Sequence, residues 1–258
     1  GNQLTGNTIS GGYRGIGIAG IAEGGTPTAP LQLAGSRNVI AGNTITGNSD
    51  SGVRIEGGAA NGIGVDPTTG TVLTPNQITA NLGGGITIKS TSTGYPSTDN
   101  QVIGNTIQGN GKSGVEVRDS GTDRNRISKN KITQSGGSGI KVDGIAQQGI
   151  QAPVINDILA DNQVLGTAAA NATIEIYSDP GGEGETLLGV ATSDGAGNWT
   201  FPLPSGQDSK RVTALVIDAS GNTSAFSAAS GSSVEFFTSV TANPSTINVT
   251  GDGSIVTL

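Results

Sequence analysis

One phrase recurs five times within residues 1–142, and that recurrence constrains the fold more than any other feature of the chain. Each copy opens on an Asn, at Asn2, Asn38, Asn76, Asn100 and Asn125, with a second Asn five residues on, at Asn7, Asn43, Asn81, Asn105 and Asn130. Three residues before the second Asn stand Leu4, Ile40, Ile78, Val102 and Ile127. Two residues after it stand Ile9, Ile45, Ile107 and Ile132, with Gly83 interrupting the column in the third copy. Each copy then closes on a Gly-x-aliphatic phrase, at residues 15–18, 52–55, 85–88, 114–117 and 139–142. A repeat this short cannot bury its own apolar face, so it must stack on further copies of itself.

The second asparagines lie 36, 38, 24 and 25 residues apart. A unit of about 24 residues, with three short strands and Gly/Asn corners, describes one rung of a β-solenoid. Asn61-Gly-Ile63 offers an extra rung inside a long interval, so the count lies between five and seven. Aliphatic columns should point into the bore. Asn columns should bend the corners through left-handed backbone and bond rung to rung. Outward positions carry Gly17, Arg54, Thr87, Glu116 and Lys141, then Glu56, Lys89, Arg118 and Asp143. Glu116 over Lys141 and Arg118 over Asp143 should therefore pair between adjacent rungs.

Composition agrees with strands and narrows the chemistry. Gly accounts for 44 of 258 residues, and Cys, Met and His are absent. Without Cys or His there is no thiolate or imidazole catalysis, so any reaction rests on carboxylates, Lys, Arg or Tyr. Residues 1–149 carry eleven basic and nine acidic side chains, whereas residues 150–258 carry two and eleven. Neither part has the basic stripe of a nucleic-acid-binding protein, and no stretch is long and apolar enough to span a membrane. Because Gly1 opens directly onto a repeat, the chain reads as part of something longer.

Insertions at 19–36, 56–75, 90–99, 119–123 and 143–149 are expected to share one corner, after the Gly-x-aliphatic strand. Shared corners of solenoids are common working surfaces. Tyr95, Asp119, Asp123 and Asp143 are the candidate ligand-binding residues there, beside Arg124 and Lys129. No column stacks carboxylates, since Asp50 aligns with Lys112 and Gly137, and Asp99 with Arg37 and Arg124.

These repeats, notably residues 33–45 and 63–70, resemble the bacterial right-handed parallel β-helix family. The resemblance implies an all-β solenoid over residues 1–149. For activity it implies little, because the family spans polysaccharide lyases, hydrolases, phage tailspikes and non-catalytic surface proteins.

After Gly149 the rhythm changes. Strands near 154–159, 162–167, 172–177, 186–192, 198–203, 211–217 and 223–227 suggest an immunoglobulin-like sandwich over residues 150–230. Residues 172–177 and 212–217 read as alternating, and Trp199 and Phe201 as core anchors. Residues 171–177, 197–201 and 218–224 resemble the Ig-like modules of bacterial adhesins, and residues 231–258 the start of another such module or exchanged strands. Asp179, Glu183 and Glu185 in a Gly-rich loop form a candidate Ca²⁺ site. The expected role is a non-catalytic extracellular scaffold, filament or adhesin segment. Its expected partners are copies of itself, other surface proteins or glycans. A carbohydrate-active enzyme or glycan-binding protein remains the alternative.

Overall fold

A computed structural model describes residues 1–20, 32–92, 94–179, 181–207, 211–230, 247–248 and 255–256. The first rung holds β1 (Gln3–Thr5), β2 (Thr8–Ser10) and β3 (Ile16–Ala19), followed by β4 (Gln32–Ala34). The second rung holds β5 (Val39–Ala41), β6 (Thr44–Thr46) and β7 (Val53–Glu56). The third holds β8 (Gly62–Ile63), β9 (Gln77–Thr79) and β10 (Ile86–Lys89). The fourth holds β11 (Gln101–Ile103), β12 (Thr106–Gln108) and β13 (Val115–Val117). The fifth holds β14 (Arg126–Ser128), β15 (Lys131–Thr133) and β16 (Ile140–Val142). Stacking places them in three parallel sheets: sheet 1 is β1-β5-β8-β11-β14, sheet 2 is β2-β6-β9-β12-β15, and sheet 3 is β4-β3-β7-β10-β13-β16.

The described residues thus form five rungs, and the third copy sits differently from its sequence reading. Asn61-Gly-Ile63 is the sheet 1 strand of the third rung rather than an additional rung, with Ile63 beside Ile40 and Val102. Ile78 belongs in sheet 2, between Ile45 and Ile107. Gly83 therefore interrupts no aliphatic column; it lies beside Asp50, whose carbonyl accepts its N–H at 3.0 Å. The misalignment has a simple cause. Corners five residues apart flank the sheet 1 strand and the sheet 2 strand alike, so Asn76 and Asn81, around sheet 2, have the same spacing as Asn2 and Asn7, around sheet 1.

Three asparagine ladders result. The first runs Asn2, Asn38, Asn61, Asn100, Asn125. The second runs Asn7, Asn43, Asn76, Asn105, Asn130, and the third Asn48, Asn81, Asn110. Beyond the first member of each ladder, the Oδ1 accepts both the backbone N–H and the Nδ2–H of the Asn one rung earlier, as Asn125 does from Asn100 at 3.1 and 2.8 Å. The left-handed turn is made by the preceding residue, not by the Asn. Arg37, Ala60, Asp99 and Arg124 have φ of 58, 54, 58 and 56°. The Asn supplies bonds, and its neighbour supplies the bend.

Inside, Ile16, Ile18, Ile40, Ile45, Ile55, Ile78, Ile88 and Ile107 are at most 1% exposed and fill one bore. Each such side chain contributes about 1.5–3 kcal/mol on burial. Gly15, Gly52, Gly85 and Gly114, which precede β3, β7, β10 and β13, each lie against a bore isoleucine of the next rung. A Cβ on Gly114 would sit 2.4 Å from Ile132 Cγ2 and 2.7 Å from the Gly139 carbonyl oxygen. The sheet 2 isoleucines need that space.

Insertions leave from two corners rather than one. The span 56–75 contains β8, so its extra residues begin at 64, between sheets 1 and 2. There they fold as a hairpin with Val65 bridged to Val72 and Asp66 N–H donating to the Thr71 carbonyl at 2.9 Å.

The sandwich holds β17 (Val154–Ile158), β18 (Gln163–Thr167), β19 (Thr173–Ser178), β20 (Thr186–Thr192), β21 (Asn198–Pro202) and β22 (Val212–Ile217). One sheet is β17-β18-β21 and the other β20-β19-β22, all antiparallel. The seventh expected strand, near 223–227, is instead an edge built by serines. Ser224, Ser227 and Ser230 donate backbone N–H to the carbonyls of Val216, Ala214 and Val212, and their hydroxyls receive those residues' N–H groups. β22 is buried along its whole length, not alternately. Val212, Ala214 and Val216 face the sandwich core, while Leu215 and Ile217 join the solenoid core. Of residues 231–258, Ile247–Asn248 pairs antiparallel with Ile255–Val256. The rest of that expected module lies outside the described residues.

Candidate functional site

The outer face of sheet 3 and the adjoining corner form a shallow groove of about 250 Å³. Its lining includes Asp50, Arg54, Lys112, Glu116, Arg118 and Lys141. The strand period of two sends Ile55, Ile88 and Val117 inward, so Arg54, Thr87, Glu116 and Lys141 must point outward. The parallel register stacks these four in one row.

Ion pairs run the length of this face. Asp50 receives Arg14 at 3.2 Å and Arg54 at 3.4 Å, and Glu56 receives Arg54 at 3.1 Å and Lys89 at 3.4 Å. Lys141 bridges Glu116 at 3.2 Å and Asp143 at 3.4 Å, which raises the Lys141 pKa, chiefly through Glu116. The expected Glu116–Lys141 pair is present, but Asp143 bonds to Lys141 instead of Arg118. Among the described residues, Arg118 and Lys112 have no ion-pair partner, and Arg118 Nε is buried without a hydrogen bond.

The sequence candidates lie in the turns that follow the sheet 3 strands. Tyr95 is 57% exposed on its loop, its backbone closed against Thr91. Asp119 accepts from Ser90 Oγ at 3.1 Å, and Asp123 from the Gln148 N–H at 2.9 Å. Asp143 stands on the sheet 3 face with Lys141. Each carboxylate engages a different partner.

The acidic loop of the sandwich is drawn into local structure. Asp179 accepts the backbone N–H groups of Gly181, Glu183 and Gly184, closing the loop. Glu183 accepts the Ser135 N–H at 2.9 Å. Glu185 lines a cavity with Asp179, Glu183 and Lys131. Among the described residues, no group of three or more Asp, Glu, His or Cys side chains is arranged to hold a metal ion.

Sequence reasoning missed Glu175. It is 1% exposed, and its carboxylate accepts from Ser128 Oγ, from Lys129 N–H at 2.9 Å and from Tyr177 Oη at 2.6 Å. Burial and the Glu175 charge push the Tyr177 hydroxyl pKa far up, so it stays protonated and donates. The sequence signal was the outward position of Glu175 between Tyr177 and Thr173 on a strand whose neighbour, β22, has no polar face.

Models of known protein families match both parts of this architecture. Residues 150–231 match the family model described as bacterial Ig domain. No curated protein matches the chain. Residues 1–156 match the family model for the right-handed β-helix region, and with three parallel sheets wound about one bore the chain belongs to that family.

Proposed function

We propose that this chain is a non-catalytic extracellular segment, a rigid scaffold within a bacterial surface protein or adhesin. The observation that carries this reading is the neutralised sheet 3 face, where Asp50, Glu56, Glu116 and Asp143 are each held by a cation. Hydrolysis on paired carboxylates needs one of them kept protonated as an acid. Here each of the four is engaged by an Arg or Lys side chain rather than poised against a second carboxylate. Pairing of β-helix rungs with an Ig-like module is typical of surface proteins and supports the location.

A second reading draws on the unpaired cations. Arg118 and Lys112 open onto the groove with Ser113 and Thr87 beside them, a set of groups suited to an acidic glycan. Incubation with acidic and neutral polysaccharides, with and without Ca²⁺, separates the possibilities. The scaffold reading expects no new reducing ends and no unsaturated products. Turnover that disappears in Asp50→Asn or Glu116→Gln would overturn it. Retention of acidic glycans without turnover, abolished by Arg118→Ala, would instead assign glycan recognition to the groove.

A further inference from the structure

The hairpin at 64–75 lies on the outer face of sheet 1. Gly62 makes the close approach possible, since a Cβ there would sit 2.7 Å from Pro67 Cδ. The hairpin is held at its base and at its tip. Leu73 N–H donates to the Gly64 carbonyl and Gly42 N–H to the Thr74 carbonyl, both at 2.8 Å. Gln101 Nε2 donates to the Pro67 carbonyl at 3.3 Å. Within the turn, Asp66 Oδ1 accepts the Thr68 N–H at 2.8 Å, and the Asp66 carbonyl accepts the Gly70 N–H at 2.9 Å. These bonds make the hairpin a fixed wall.

Between this wall and the first two rungs the described residues leave a notch of about 460 Å³, within the range of roughly 300–1,000 Å³ in which small-ligand sites fall. Its floor follows from strand alternation. Leu4 and Ile40 turn toward the bore, so Gln3, Thr5, Val39 and Ala41 turn outward, with Gln3 beside Val39 and Thr5 beside Ala41 in register. The hairpin adds Leu73, Thr74 and Asp66. An apolar strip of Val39, Ala41 and Leu73 is thus flanked by the neutral hydrogen-bonding side chains of Gln3, Thr5 and Thr74. Asp66 is the one charged side chain of the lining. Its Oδ1 is taken up by the turn, whereas no donor among the described residues reaches its Oδ2.

These groups sort ligand chemistries. An anion would meet Asp66 with no cation in the lining to offset it. A simple alkylammonium satisfies Asp66 but leaves Gln3, Thr5 and Thr74 unused. A sugar ring brings a C–H face for the apolar strip and hydroxyls for the three neutral side chains. An amino substituent on that ring supplies the charged donor for Asp66 Oδ2. We propose that this notch is a binding site for an amino sugar carrying a free ammonium group, on a different face of the solenoid from the sheet 3 groove. It stands whether or not that groove takes an acidic glycan.

Titration of the full chain with the glucosamine disaccharide, followed by amide chemical shifts, tests the assignment. The N-acetylated and the glucose disaccharides serve as neutral counterparts. Shifts should concentrate in residues 3–6, 39–42 and 66–74. Affinity for either counterpart should be weaker by roughly tenfold or more, because a charge-assisted hydrogen bond is lost. Asp66→Asn should weaken glucosamine binding to a similar degree, and it keeps an oxygen for the Thr68 N–H, so the wall survives. Val39→Lys, a cation on the floor, should remove binding. Arg118→Ala, in the sheet 3 groove, should leave it unchanged. A parent chain that shows no saturable shifts overturns the proposal. So does equal affinity for the neutral disaccharides, indifference to Asp66→Asn or Val39→Lys, or a response abolished by Arg118→Ala. A lysine-rich peptide that displaces the disaccharide at equal concentration would assign the notch to a protein partner, and likewise overturns it.

Discussion

Asn100 donates both its backbone N–H, at 3.1 Å, and its Nδ2–H, at 2.8 Å, to the single Oδ1 of Asn125. Its own Oδ1 serves Asn61 in the same way, and its second Nδ2–H reaches the Gly58 carbonyl at 3.0 Å. All three asparagines are fully buried. Removing the Asn100 side chain therefore strands the Asn61 backbone N–H and one Asn61 Nδ2–H, and takes a donor from the Gly58 carbonyl. Asn100→Ala should destabilise the solenoid by about 3 kcal/mol, since each stranded buried polar group costs roughly 1–3 kcal/mol. Urea unfolding measures this. A loss under about 0.5 kcal/mol would mean that water replaces the ladder freely.

The glycines at the start of sheet 3 strands make a second prediction. Gly114→Ala brings a methyl against Ile132 and the Gly139 carbonyl, whereas a Cβ on Gly195 meets nothing within 4 Å. Overpacking costs about 1–3 kcal/mol, so Gly114→Ala should lower the unfolding midpoint clearly and Gly195→Ala hardly at all. Equal effects would show that the close approach is relaxed in solution.

The bore gives a third. Ile107 is fully buried and paired in register with Ile78 and Ile132. Ile107→Ala should cost about 2–5 kcal/mol through lost burial and an unfilled cavity. Ile107→Asp should abolish the cooperative transition, because a lone carboxylate has no partner there. A cooperative melt retained in the Asp variant would refute the bore assignment.

Much of this was legible from the period alone. Ile45, Ile107 and Ile132 recur at fixed distance from an Asn because corner and strand lengths are fixed, so both the solenoid and the outward Glu116–Lys141 pair could be read directly. The third rung was misread because the insertion at 64–75 separates Asn61 from Asn76, leaving Asn76 and Asn81 to mimic an earlier pair. The junction was hidden for a different reason. Glu175 on β19 looks like any outward residue of a sandwich strand, and only the tertiary packing of Leu215 and Ile217 on the last rung removes it from water. The continuous apolar run of β22 was the trace of that packing, and a reading of 212–217 as alternating passes over it. Asp119, Asp123 and Asp143 share a corner in sequence, and each bonds to a different neighbour, Ser90, Gln148 and Lys141, which spacing alone does not reveal.

Asp99 and Arg124 provide the last prediction, one of pH. Arg124 approaches Asp99 with Nε to Oδ1 at 2.7 Å and a second nitrogen to Oδ2 at 2.9 Å. The hydrogen bonds from Arg124 hold the Asp99 carboxyl below its ordinary value of 3.8. The folded value then lies below the unfolded one, so the unfolded chain takes up the proton first as pH falls. The stabilisation is complete above the unfolded carboxylate range and disappears as pH drops through the lowered folded value. Both side chains are nearly half exposed, at 43% and 47%, so solvent screening limits the pair to about 0.2–1 kcal/mol. Asp99→Asn suits the measurement, because Asn tolerates the left-handed backbone at this corner. Urea midpoints for parent and variant should differ slightly at neutral pH and converge near pH 2, with the neutral difference shrinking in 1 M salt. A gap that is unchanged in acid and in salt would assign the effect of the substitution to the corner conformation rather than to the ion pair.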